Sequence, residues 1–369
     1  MIHTFNIRRT ISMWSAYRLA RELFSIETAE ALRKGERNWK EIRLSDDFPG
    51  INKLVLLRQG FDFVSIHLEI EPQVLLAGQR TIQLFACFPD ALERLQVLFL
   101  QALREISSSI SWQPLKDWYM YRIDYAVNLS TEYPDELTEL AKKGWKPHYY
   151  HDNVHKKGSL YWQSKSVRFN FYCKADHVRK KLRHLPEYQR LLEEAQNIFR
   201  VEVQCREVSK IKGLIRKYQL SNQRVLGFLQ PHIALDVIQN YYQQVIGSGD
   251  YYNFYHALNK VNEQERNVLS TGMKEKISVF LRVIAHTKSM DSAYQCLVVG
   301  EGCQLKNGDF VSKISSSTFS NYEKICREIG INPVTIPKHK GITYMPNPNP
   351  MLVDPLSLYG GNQVVCGAK

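Results

Sequence analysis

The chain has 369 residues, of which 44% are hydrophobic and 23% charged, an ordinary balance for a globular protein with room for two domains. No apolar run approaches the roughly 20 residues needed to span a bilayer, and the first residues lack the basic-then-apolar layout of a signal peptide, so a cytoplasmic location is expected. Seven scattered cysteines without a C-x-x-C pair argue against a zinc ribbon and against a disulfide framework.

Charge carries more information. Lys and Arg number 49 against 37 Asp and Glu, a formal net charge of +12, which suits a polyanionic partner, most often nucleic acid. The excess is concentrated. From Lys156 to Arg183 there are nine Lys/Arg, among them Lys156, Lys157, Lys165, Arg168, Arg179, Lys180 and Lys181, against one acid, Asp176. Tyr161, Trp162, Phe169, Phe171 and Tyr172 interleave with them. Basic groups contact phosphates and rings stack on unpaired bases, so the mixture suits single-stranded nucleic acid.

In chain order, strands are expected at Ile2 to Ile7, at Lys53 to Arg58, at Val64 to Glu71 and at Thr81 to Phe88, with Gln59-Gly60-Phe61-Asp62 as a hairpin turn. The third of these alternates strictly, Val64, Ile66, Leu68 and Ile70 against Ser65, His67, Glu69 and Glu71. Three more segments alternate in the same way. Tyr121, Ile123, Tyr125, Val127 and Leu129 oppose Arg122, Asp124 and Asn128; Val167, Phe169, Phe171 and Cys173 oppose Arg168, Asn170, Tyr172 and Lys174. In the last, Phe199, Val201, Val203 and Cys205 oppose Arg200, Glu202, Gln204 and Arg206. This pattern predicts an antiparallel sheet with one face under helices, here Ala91 to Ile106, Asp135 to Lys143 and Pro186 to Gln196, and one polar face. The stretch Pro147 to His155, with His148, His151 and His155, reads as a polar connecting loop.

From Lys210 the period becomes helical, with helices at His232 to Ile246, Glu263 to Ile284 and Ser317 to Glu328, the last ended by Gly330 and Pro333. The chain is therefore expected to be α+β: a strand-rich domain over 1–209, a mainly helical domain over 210–337 that is either helix-turn-helix-like or plain packing, and an extended or disordered tail over 338–369.

Carboxylates on neighbouring polar strand faces suit Mg²⁺ or Mn²⁺, which take hard oxygen ligands. Asp124 and Glu202 are the central candidates, and His67 and Glu69, at i and i+2, could add a nitrogen and an oxygen. The competing reading of Asp124 is an ion pair with Arg122, Arg168 or Arg200, and that of His67 and Glu69 a solvated strand face. Among the 20 tyrosines, Tyr172 is distinguished by its basic surroundings, and Lys174 is placed to stabilise a phenolate or a phosphate; Tyr161 and Tyr188 are the other choices. There is no G-x-x-x-x-G-K-[ST] loop, hence no nucleotide-driven motor of its own, and no H-x-H pair.

Four of these segments, Arg122-Ile123-Asp124-Tyr125-Ala126-Val127-Asn128-Leu129, Gly158-Ser159-Leu160-Tyr161-Trp162, Asn170-Phe171-Tyr172-Cys173-Lys174 and Phe199-Arg200-Val201-Glu202-Val203-Gln204, resemble the phage and plasmid replication proteins. These are relatives of the filamentous-phage replication protein and, more distantly, of rolling-circle plasmid initiators. Leu68-Glu69-Ile70-Glu71-Pro72 and Tyr322 to Pro337 extend the resemblance in order along the chain. It implies a nickase-type domain and an endonuclease that nicks one strand at an origin, stays covalently attached to the 5′ end and later rejoins the strand. Asp124 and Glu202 would then be metal ligands, Tyr172 the nucleophile and Lys174 its cationic neighbour. DNA would be the partner, with a host helicase and polymerase, and the chain could act as a monomer or a homodimer. The alternatives are a non-catalytic DNA-binding initiator or regulator on the same scaffold, and an RNA-binding protein.

Overall fold

The computed structural model describes residues 1–146, 152–156 (backbone) and 158–348. Nine strands form one antiparallel sheet: β1 (Ile2–Ser12), β2 (Trp39–Arg43), β3 (Ile51–Gln59), β4 (Phe63–Ile70), β5 (Tyr119–Ser130), β6 (Asp152–Lys156), β7 (Ser159–Gln163), β8 (Val167–Cys173) and β9 (Ile198–Cys205). Their spatial order is β2-β3-β4-β1-β5-β9-β8-β7-β6. All four strictly alternating segments are strands, and the β3–β4 connection is the expected turn, with Gly60 at φ 76°.

The helices are α1 (Met13–Leu23), α2 (Ile26–Lys34), α3 (Pro72–Ala77), α4 (Pro89–Ile106), α5 (Pro134–Ala141), α6 (Lys174–Lys181), α7 (Tyr188–Glu194), α8 (Val208–Lys217), α9 (Pro231–Val245), α10 (Phe254–Glu263), α11 (Thr271–Thr287), α12 (Met290–Tyr294) and α13 (Ser316–Glu328). Proline opens α3, α4, α5 and α9 at the first turn, where its missing N–H costs nothing. The chain is thus α+β, with a helical C-terminal part.

Ile2, Phe5 and Ile7 of β1, Val64 to Ile70 at even positions of β4, Ile123 to Leu129 at odd positions of β5, and Phe199 to Cys205 at odd positions of β9 point into one core. Helices α1, α5, α8 and α9 pack against this face. Phe171 of β8 lies edge-on to Tyr242 of α9 at 6.2 Å, and Tyr125 of β5 donates to the Phe228 carbonyl at 3.1 Å, so the same core continues into the helical part. Gly50, at φ 91°, sits where a Cβ would enter the van der Waals envelope of the Leu75 backbone. Gly50→Ala is therefore expected to lower unfolding stability by about 2 kcal/mol, read as a shifted urea midpoint at unchanged slope; an unchanged midpoint would contradict the close contact.

Several expectations need correction. Thr81 to Phe88 is no strand: only Phe85 bridges Ile2, because Cys87 turns left-handed at φ 66° and Pro89 starts α4. The long helix over Glu263 to Ile284 is two, α10 and α11, with the break over 264–270 leaving Val268 60% exposed. Lys174 is not on the β8 face but begins α6. Residues 152–156 of the expected histidine loop form β6, paired with β7, while 147–151 lie outside the described residues. The first part of the tail is extended and packed: Tyr344–Met345 pairs with Tyr251–Tyr252, and the buried Asn347 side chain donates to the carbonyls of Gly247 and Gly249 at 3.0 and 2.9 Å. Residues 349–369 lie outside the described residues. No described helix is long and apolar enough to cross a membrane.

Candidate active site

On the sheet face opposite the core, the central strands carry charged and polar groups that are almost wholly buried: Asp124 is 1% exposed, Arg200 1%, Glu202 2% and Asn170 4%. A second apolar cluster, including Ile82, Cys173, Val178, Leu191 and Ile198, closes the face at the ends of β8 and β9 beneath α6 and α7. Buried charges of this kind persist only when paired and hydrogen-bonded.

Two β-bulges shape the face. Ile2 pairs with Tyr125 and Thr4 with Asp124, leaving His3 as the extra residue in β1; Asn6 pairs with Arg122 and Ile7 with Met120, leaving Tyr121 as the extra residue in β5. A bulge re-aims the side chain it carries. The first brings the His3 Nδ1 atom to 3.2 Å from Glu202 Oε2, across β5, where Ala126 presents only a methyl group. The second turns Tyr121 to the polar face, against its place in the alternation: its hydroxyl is 3.4 Å from Asn6 Nδ2 and its ring lies 5.0 Å from that of His67.

His3, Asp124 and Glu202 each present a ligand atom, and these atoms all lie within 4.8 Å of one another. Glu202 accepts hydrogen bonds from Asn170 Nδ2 (3.1 Å), Gln204 Nε2 (2.6 Å) and the Tyr172 hydroxyl (3.2 Å). Asp124 is held by Arg122 through Nε to Oδ1 (3.0 Å) and Nη2 to Oδ2 (2.6 Å). Burial pushes the Asp124 carboxyl up to about 6 despite Arg122. Burial acts on Glu202 in the same sense, but His3, Gln204 and Arg200 outweigh it and hold its carboxyl below the usual range. The donor set fits a divalent cation: one imidazole and two carboxylates suit Mn²⁺ or Mg²⁺, and the buried Nδ1 of His3 satisfies no hydrogen bond of good geometry among the described residues.

Tyr172 is 6% exposed. Burial, with Glu202 beside it, pushes its phenol far above the usual value, while Arg200 opposes the shift. Lys174 is buried at the start of α6 with its Nζ 6.0 Å from the Tyr172 ring centre; burial and Arg200 depress its pKa. Arg200 Nε donates to Asn128 Oδ1 at 2.7 Å. The His177 ring lies 5.4 Å from that of Tyr172.

His67 and Glu69 fall elsewhere. On β4, two strands from β5, Glu69 meets Asn6 at 3.4 Å and Asn52 at 3.3 Å, and His67 faces Arg8 and Tyr121, so neither joins the His3 cluster. Burial, and then Arg8, lower the His67 pKa to about 4, and its buried Nε2 has no hydrogen-bond partner among the described residues. A depressed histidine contributes stability that is complete above its unfolded pKa near 6.5 and is lost as pH falls toward 4. His67→Gln is thus expected to lose less stability than the wild type between pH 6.5 and 4 in urea titrations; parallel losses would contradict it.

The basic candidates spread over two places. Arg179, Lys180 and Lys181 are exposed on α6, the first two paired with Asp176 at 2.8 and 3.5 Å. Lys165 is exposed in the β7–β8 turn, and Arg168 donates from Nε to Gln163 at 2.8 Å. Lys157 and the side chain of Lys156 lie outside the described residues. Tyr161 lines a cavity beside Tyr172, whereas Tyr188 packs with the second apolar cluster. His3 was not among the residues singled out from the sequence. Its one sequence signal is its place in the first strand; the bulge and the β1–β5 pairing that bring it to Glu202 leave no local pattern.

Residues 87–220 match the model of the Phage CRI family, described as the N-terminal part of a replication-associated protein. The matched segment contains Asp124, Tyr172, Lys174 and Glu202 and excludes His3, His67 and Glu69. The match supports a phage replication-initiator role. No curated protein and no solved structure matches the chain.

Proposed function

We propose that this chain binds origin DNA and nicks one strand by attack of the Tyr172 hydroxyl on phosphorus, with Mg²⁺ or Mn²⁺ held by His3, Asp124 and Glu202. The observation that carries this reading is the 3.2 Å hydrogen bond from the Tyr172 hydroxyl to Glu202, a member of that cluster. A cation bound there would supply positive charge to the phosphate oxygens during transfer. Glu202 accepts the Tyr172 hydroxyl's hydrogen bond and is the group positioned to receive the phenolic proton, with its lowered carboxyl making it a weak base until positive charge acidifies the phenol. The phenolate oxygen then bonds to phosphorus, the bond to the 3′ oxygen breaks, and that oxygen takes a proton from water, leaving the 5′ phosphate on Tyr172. Arg200 offsets negative charge around the phenol, and Lys174 Nζ lies 6.0 Å from its ring centre.

In this reading a host helicase unwinds the duplex while a host polymerase extends the free 3′ end in the cytoplasm, and rejoining completes rolling-circle replication. The second reading, a non-catalytic DNA-binding initiator, draws on Arg122, which engages both oxygens of Asp124 and competes with any cation for them. Supercoiled plasmid carrying the element's own origin, incubated with Mn²⁺, Mg²⁺ or EDTA, separates the two. Metal-dependent nicking is expected; tight origin binding without nicking in either metal favours the second reading.

The metal assignment has an independent readout. At about 100 times its dissociation constant, Mn²⁺ is expected to stabilise the folded chain by about 2.7 kcal/mol. A thermal shift should follow in the wild type and vanish in His3→Ala and Asp124→Asn. An equal shift in all three proteins would place the ion elsewhere.

A further inference from the structure

We infer that the cavity beside Tyr172 receives a single unpaired nucleotide of the bound strand. This deepens the function proposed above, on which it rests for the identity of the strand as DNA.

The cavity measures about 240 Å³; Ser159 and Tyr161 of β7, Tyr172 of β8, and Asp176, His177, Lys180 and Lys181 of α6 are among the residues that line it. Size decides first. An apolar cavity of about 150 Å³ accommodates benzene, so this one has room for a single heterocyclic base and none for a base pair. The chemistry of the wall then selects the ligand. Tyr161, Tyr172 and His177 offer three ring surfaces, and base–aromatic stacking tolerates any base because every base has a π face. His177 Nδ1 is buried and finds no hydrogen-bond partner among the described residues, leaving a polar position in the wall for the edge of a base. Lys181 and Lys180, the latter 3.5 Å from Asp176 in the same wall, are exposed at the cavity, and the two lysines outnumber that one carboxylate where a phosphate would sit.

The placement gives the cavity a purpose. Tyr172 belongs both to its wall and to the Glu202 network, so a nucleotide seated there puts its own phosphates within reach of the Tyr172 hydroxyl. Holding the neighbour of the scissile phosphate fixes the attack geometry, which duplex DNA with its bases stacked inside does not allow.

Two opposite variants test this by fluorescence anisotropy, using a labelled oligothymidylate of about 20 nucleotides and a duplex of the same length. Tyr161→Ala removes a ring, and Ser159→Phe fills the space while keeping every ring. Both are expected to weaken oligothymidylate binding by roughly 5- to 100-fold, the range of one lost base stack, with duplex affinity unchanged. Tyr161→Phe should restore wild-type binding, which a merely misfolded Tyr161→Ala could not explain. Lys180→Glu with Lys181→Glu should lower the salt dependence of binding by about two phosphates. Wild-type affinity for oligothymidylate in both Tyr161→Ala and Ser159→Phe overturns the inference, as does an equal loss on duplex and single strand. Failure of the nicking reading leaves these affinity differences standing, so the two ideas fail separately.

Discussion

Tyr172→Phe is expected to abolish the covalent protein–DNA adduct and to reduce nicking of supercoiled origin DNA by about 10³-fold or more, with origin affinity retained. The substitution removes one oxygen and keeps the ring that packs against His177 and lies near Lys174. Glu202 loses one of its donors but keeps Asn170 and Gln204. The fold should therefore tolerate the change, at a cost of about 1 kcal/mol for one lost hydrogen bond. A nucleophile, by contrast, has no partial substitute: without the phenol there is no phosphotyrosine to form. Nicking that survives in Tyr172→Phe, with an adduct of normal yield, would transfer the role to another tyrosine. Tyr161 would be the first to examine, since it lines the same cavity.

The second large effect concerns stability. Glu202→Ala is expected to destabilise the metal-free protein by about 3–5 kcal/mol, lowering the thermal midpoint by roughly 10 °C. The carboxylate gathers donors from two strands, Gln204 on its own strand and Asn170 and Tyr172 on β8, and lies 3.2 Å from His3 Nδ1 on β1. Removing it leaves these polar groups around a hole, with Arg200 nearby and its charge less balanced. Glu202→Gln keeps the shape and some of the hydrogen bonds, so its loss should be smaller. Calorimetry in EDTA measures both. A Glu202→Ala protein as stable as the wild type would mean that the Asp124–Glu202 pair repels itself in the absence of a cation, and that the network does not support the fold.

What the sequence disclosed and what it withheld follow from the range of the interactions. Period-two alternation is local, so the strands around Ile66, Ile123, Phe171 and Val201 were legible, as was the turn at Gly60. Asp124 and Glu202 could be assigned to polar strand positions for the same reason. Pairing is not local. Nothing near His3 announces that β1 inserts between β4 and β5, nor that the bulge there sends an imidazole over Ala126 to Glu202. His67, on a cleaner alternating strand, was the more visible histidine, yet β1 separates its strand from β5. Lys174 illustrates a boundary effect: alternation extended one residue too far, where the chain had already turned into α6. Burial of the polar face was also hidden, because the residues that cover it, Ile82 and those of α6 and α7, come from separate segments.

The central claim is that Tyr172 becomes joined to DNA, and peptide mapping of the adduct tests it most directly. Wild-type protein would be incubated with supercoiled origin DNA and Mn²⁺, digested with nuclease and trypsin, and the nucleotide-bearing peptide sequenced by mass spectrometry. The modification is expected within the tryptic peptide Phe169 to Lys174, on Tyr172, and should be absent when EDTA replaces the metal. A nucleotide on Tyr161, Tyr188 or any other residue, or nicked DNA carrying no protein at all, would contradict it.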